Sequence, residues 1–186
     1  MEVNEILSKT KEAMLKAEEY CKGQIAKVRT GRASASIVDN VKAEYYGAAT
    51  QLSQMASVSV PDAKTIIIQP WDRSTLSAIE KAIQQADLGF NPQNDGNVIR
   101  INVPPLTEER RKEFVKLCKK YAEEGKVAVR NVRREQLEIL RKSEKDKKMS
   151  EDDRIWGEDE IQKITNEYIR KIDEFLAKKE KELMED

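Results

Sequence analysis

The sequence predicts an α+β protein: an elongated three-helix bundle with a smaller β/α/β domain inserted into it. Three observations predict this. Apolar residues recur at three- and four-residue spacing at both ends of the chain. β-branched runs separated by turn residues fill the middle. Charged residues make up 37% of the 186 positions, and mean hydropathy is −0.72. Such polarity suits long, solvated helices better than one compact globule. The length accommodates one or two small domains, each with a core.

The first element is a helix over residues 1–30. Val3, Leu7, Thr10, Met14, Ala17, Cys21, Gln24 and Val28 form a coiled-coil-like stripe, widened by Ile6, Ala13, Tyr20 and Ile25. Residues 31–105 change character. Strands are expected in VKAEYYG (41–47), ASVSV (56–60), KTIIIQP (64–70) and NVIRINV (97–103), with turns at Pro61-Asp62 and Asp95-Gly96. Between the last two runs, Leu76, Ile79, Ile83 and Ala86 step as one helix face, and Gly89 is a stop. Tyr45, Tyr46 and Trp71 are read as core packing of this insert, with exposed contact residues as the alternative.

Residues 107–186 return to helix. Thr107 before Glu108-Glu109 suits an N-cap with acids in the first turn. The seam Phe114, Cys118, Tyr121, Gly125, Ala128, Val132 and Ile139 carries a helix to about residue 146. At ~1.5 Å per residue that helix is roughly 60 Å long. A last helix starts near Ser150, where SEDD resembles a capping box. It continues through Ile161, Ile164, Tyr168, Ile172, Phe175 and Leu183. Helices of this length cannot bury such stripes singly, so both chain ends combine in one bundle, 1–30 with 106–186. The insert leaves it at RTGR (29–32) and returns at VPPL (103–106). Thr30, Gly31, Arg32, Val103, Pro104 and Pro105 are therefore hinge candidates, with Gly31 free in its backbone angles and the prolines stiffening the return.

Several function classes have little support. The chain contains no histidine, no CxxC, no GxGxxG and no P-loop, so common metal, redox and nucleotide signatures are missing. No cofactor is expected. Cys21 and Cys118 both fall on apolar seams and read as reduced core thiols of a cytoplasmic protein. No apolar run approaches the ~20 residues of a membrane span, and the N-terminus is unlike a signal peptide. An enzyme reading would rest on Asp62, Asp72 or Asp95, which sit in turn contexts that favour aspartate for backbone reasons.

Charge distribution is more informative than the net charge of zero. Residues 107–134 hold ten basic against five acidic side chains, a balance of +5, and residues 135–186 hold twelve against seventeen, a balance of −5. Lys112, Lys116, Lys119, Lys126, Arg130 and Arg133 step by four, three, seven, four and three along the first long C-terminal helix, about half a turn from its seam. A straight line of cations along a rod matches a polyanion better than a small ligand. Arg134 and the amide of Asn131 lie beside it, and Arg29 could extend it. These observations favour a nucleic-acid partner. A coiled-coil adaptor is the alternative; it explains the heptads but neither the insert nor the basic line.

The residues KVRTGRAS (27–34), EYYG (44–47), PWDRS (70–74), KAIQQADLGFNPQNDGNVIRINVPPLTEERRKE (81–113) and VAVRNVRR (127–134), with SEDD and the ELM tail, resemble the bacterial ribosome recycling factors. The resemblance runs in order over essentially the whole chain. It implies an L-shaped molecule with a flexible hinge and no cofactor or catalytic residues of its own. It implies a monomer that, with elongation factor G and GTP, splits post-termination ribosomes into subunits. It makes the arginine-bearing helix the contact with large-subunit ribosomal RNA, through Arg130 and Arg133, and Arg29, Gly31, Arg32, Pro104 and Pro105 hinge or hinge-adjacent positions.

Overall fold

A computed structural model describes residues 2–185. They fall into two compact units. One is made of both chain ends, up to Thr30 and from Glu108 onward; the other is Gly31–Thr107.

The first unit packs three helices: α1 (Val3–Ala26), α4 (Glu108–Lys145) and α5 (Glu151–Met184). Its interior includes Ile6, Met14 and Ile25 of α1, Ala122, Val129 and Leu140 of α4, and Ile161 and Ile172 of α5. α1 ends before the expected residue 30. The Val28 N–H turns back to the Ile25 carbonyl, three residues away, and no regular helix follows. α4 starts at Glu108, directly after the expected capping position Thr107. Ser150 caps α5 by accepting the Asp153 N–H at 3.1 Å. Arg154 ties the start of α5 to Glu144 at the end of α4.

The buried line of α5 and much of that of α1 (Thr10, Met14 and Cys21) fall where expected, whereas that of α4 is turned by about one position. Tyr20 is exposed, whereas Glu18 is buried and paired with Lys22 at 2.7 Å. On α4 the buried residues are Cys118, Ala122, Gly125, Val129, Leu140 and Ser143, while Tyr121, Ala128 and Val132 sit at the rim and Ile139 is exposed. Spacing of three and four is satisfied by two adjacent lines about 100° apart, and the neighbouring helices select one. Here the selected line contains Ala122 and Gly125, which let α1 come close.

The second unit has an antiparallel hairpin, β1 (Lys42–Tyr45) with β2 (Ala48–Gln51), then one helical turn, α2 (Leu52–Met55). A four-stranded antiparallel sheet follows, of β3 (Ala56–Asp62), β4 (Thr65–Pro70), β5 (Pro92–Asn94) and β6 (Ile99–Asn102), in the order β3-β4-β6-β5. Ile66 and Ile68 of β4 pair with Ile101 and Ile99 of β6. These four side chains form one core with Leu76, Ile79 and Ile83 of α3 (Leu76–Gln85). β2, α2 and β5 are additions to the expected elements; none carries a β-branched run or an extended periodicity. The reading of all three aromatics as core is corrected. Tyr45 packs partly against the core, but Tyr46 is 86% and Trp71 70% exposed. Tyr46 occupies the hairpin tip with φ 50° beside Gly47 at φ 79°, and its ring meets that of Tyr45 edge to face, 4.4 Å between centroids.

Candidate nucleic-acid interface

The cations of α4 do not lie half a turn from the seam. With Ala122, Gly125 and Val129 facing inward, the line flanks the core by roughly a quarter turn. Its upper part therefore borders α5. Arg130 and Arg133 are half-buried rather than on the open water side, while Lys119, Asn131 and Arg134 are exposed.

The line is not uniform in ion pairing. The Lys126 side chain keeps only 15% of its surface and contacts Asp173 of α5 at 2.5 Å and Glu123 at 3.3 Å. The Asp173 contact, more than any other influence, raises its pKa. Lys126 is thus a strut between α4 and α5, with two carboxylates cancelling its charge. Lys112 is loosely paired with Glu108 at 3.7 Å. By contrast, Lys116, Lys119, Arg130, Arg133 and Arg134 form no ion pair among the described residues. Arg133 donates from Nη1 to a neutral acceptor, Gln162 Oε1, at 2.9 Å. The partner residues Gln162 and Asp173 are missed by the sequence reading, because nothing in a sequence pairs positions 29 and 47 residues apart. Arg29 follows α1 in the same unit and is exposed.

The hinge candidates divide. Gly31 has φ +81°, and a Cβ there would lie 2.8 Å from Leu106 Cγ and 3.2 Å from the Leu106 nitrogen. Thr30, Gly31, Arg32, Pro104 and Pro105 are outside regular structure. Val103 is not a free segment: it is buried in the small core, and its N–H donates to the Lys64 carbonyl at 2.7 Å. Ala33 is tied to the Ala63 carbonyl at 2.8 Å. The segments outside regular structure that join the two units are therefore 29–32 and 104–107.

The acids that an enzyme reading would use serve their own turns. Asp62 accepts from the Lys64 N–H at 2.8 Å, Asp72 from the Ser74 N–H and hydroxyl, and Asp95 from the N–H groups of Asn97 and Val98. Those bonds hold all three carboxyls below their ordinary pKa, as expected for charge-stabilising donors. The two thiols are buried, which pushes both upward in pKa and away from thiolate chemistry. Among the described residues no cluster of three or more His, Cys, Asp or Glu could hold a metal ion, and no helix is long and apolar enough to cross a membrane.

Fold and surface together define a class: a two-unit α+β protein whose helical unit displays unpaired cations along one edge. Comparison with known proteins narrows the class to a family. The sequence profile of ribosome recycling factor matches residues 21–184. The ribosome-recycling factors of Oleidesulfovibrio alaskensis and Bacillus licheniformis are 56% and 53% identical, each over 97% of this chain and 98% of its own length. A solution structure of a ribosome recycling factor superposes with a TM-score of 0.78 at 44% identity, covering 99% of this chain and 98% of that one. A second structure, of the T. thermophilus ribosome recycling factor and E. coli elongation factor G bound to the E. coli post-termination complex, gives 0.65 at 48% identity over the full length of both chains. The chain belongs to the ribosome recycling factor family.

Proposed function

We propose that this protein recycles ribosomes: with elongation factor G and GTP it splits post-termination ribosomes into subunits. The helical unit binds large-subunit ribosomal RNA along α4, through Arg130, Arg133 and Arg134, with Lys119, Asn131 and Arg29 at the margin. Lys126 supports this surface from behind. The observation that carries the reading is the run of unpaired cations on α4, in a chain whose family relative has been placed on a post-termination complex. Each arginine that meets a phosphate releases a counterion, so binding weakens steeply with salt. The small unit acts as a lever on the crossings 29–32 and 104–107. The chain itself contributes no catalytic residue; GTP hydrolysis belongs to elongation factor G.

The test is light scattering of post-termination ribosomes with this protein, elongation factor G and GTP, each omitted in turn. Splitting that requires all three is the expected result. Splitting that proceeds without this protein, or not at all, rejects the reading. Arg133→Ala is expected to lower affinity for ribosomes by roughly tenfold or more, the worth of a charge-assisted contact, and to leave the fold intact.

A further inference from the structure

Lys126 and Arg133 lie two turns apart on α4 and are held against α5 in chemically opposite ways. Carboxylates grip Lys126, as described above. Arg133 is gripped by an amide, and that amide is itself held: Gln162 Nε2 donates to Asn166 Oδ1 at 2.8 Å, one turn along α5. The polarity of this relay is forced. A guanidinium has only donors, so Gln162 must turn its oxygen toward Arg133. Its NH₂ then needs an acceptor, and Asn166 supplies one. Arg133 Nε is buried and has no partner, which puts the stem side of the guanidinium inward. Among the described residues the other N–H groups of Nη1 and Nη2 have no acceptor. They form the edge that receives a phosphate in bidentate fashion.

We infer that Gln162, set by Asn166, is a positioning residue for anion recognition by Arg133: it fixes the guanidinium without neutralising it. A carboxylate at 162 would hold the arginine at least as firmly but would cancel its charge, as Asp173 does for Lys126. An apolar side chain would leave the charge intact and the orientation free. The amide is the side chain that orients and preserves charge together. This inference rests on the reading of α4 as the ribosome-binding edge.

The experiment measures the Kd of the full-length protein for purified large ribosomal subunits at several KCl concentrations. The variants are Gln162→Met, Gln162→Glu, Arg133→Ala and the double variant Arg133→Ala/Gln162→Met, each with its thermal melt. Gln162→Met is expected to weaken binding about three- to tenfold, through loss of the bond that orients the guanidinium, with an unchanged salt slope. Gln162→Glu is expected to weaken binding at least as much and to flatten the slope of log K against log salt by about one charge. The double variant should bind no worse than Arg133→Ala alone. Three results overturn the inference while leaving the ribosome-binding reading standing: wild-type affinity in Gln162→Met when Arg133→Ala is weak, fully additive losses in the double variant, or equal slopes in the Met and Glu variants. Wild-type affinity in Arg133→Ala overturns both.

Discussion

Replacing Gly125 by alanine adds one methyl group where α1 meets α4. An ideal Cβ at that position lies 2.5 Å from Cys21 Sγ and 2.7 Å from Cys21 Cβ, with Ile172 Cδ1 at 3.4 Å. Carbon atoms in contact prefer ~3.5–4.0 Å, so the two Cβ atoms must separate by about an ångström. Neither can rotate away, since each is fixed by its helix backbone, so the helices themselves must part. Overpacking of this kind costs ~1–3 kcal/mol, and a backbone-fixed clash belongs at the upper end. Alanine returns ~1 kcal/mol of helix propensity. The net expectation is a loss of about 2 kcal/mol. Gly23 is the control: nothing lies within 4 Å of its added Cβ, so Gly23→Ala should gain about 0.5–1 kcal/mol. Gly157 lies between them. The atoms nearest its Cβ would be side-chain methyls, Val3 Cγ2 at 2.9 Å and those of Leu140 at 3.0 and 3.1 Å, which must give by a few tenths of an ångström, so Gly157→Ala should fall between the other two. Urea unfolding followed by Trp156 fluorescence, in a Trp71→Phe background, reports the helical unit alone. The order Gly23→Ala, Gly157→Ala, Gly125→Ala from most to least stable is the expected outcome. A Gly125→Ala variant as stable as the parent would refute the packing argument.

Three further outcomes follow. Gly31→Val forces a β-branched residue into φ +81° against Leu106; subunit splitting should fall more than ribosome binding, and equal losses in the two assays would count against the lever. Lys126→Met removes the strut to Asp173 but no free charge; it should lower stability while ribosome affinity stays within about twofold and the salt slope is unchanged, whereas a slope reduced by one would return Lys126 to the binding surface. Asp62, Asp72 and Asp95 have pKa values lowered in the folded small unit from 3.8. A lowered carboxylate contributes stability above the unfolded value that is lost as pH falls through the folded one. The small unit should therefore weaken on acidification below about pH 4, read by Trp71 fluorescence in a Trp156→Phe background, and the weakening should be shallower in Asp95→Asn; identical slopes would reject the assignment.

Some of the architecture is written in local chemistry. Ser150 followed by Glu151, Asp152 and Asp153 marks the start of α5, because a cap is satisfied within four residues. The isoleucines of β4 and β6 announce strands since β-branched side chains suit a pleated sheet. The aspartate turns at 62, 72 and 95 are equally local. β2 and β5 are illegible in sequence because their pairing, not their composition, makes them strands. The exposure of Tyr46 and Trp71 escapes sequence reasoning for a related reason: an aromatic side chain has the same propensities whether its face is covered or open.

Residue order by itself determined the helices, the inserted unit and the presence of a cation line on α4, all of which depend on periodicities of a few residues. Only the tertiary structure decided which cations are left without a carboxylate partner. Lys126 and Arg133 look alike in sequence, seven residues apart on one line. One meets Asp173 and the other Gln162 because α5 packs across them, and whether a carboxylate or an amide arrives at that crossing depends on contacts 29 and 47 residues away along the chain.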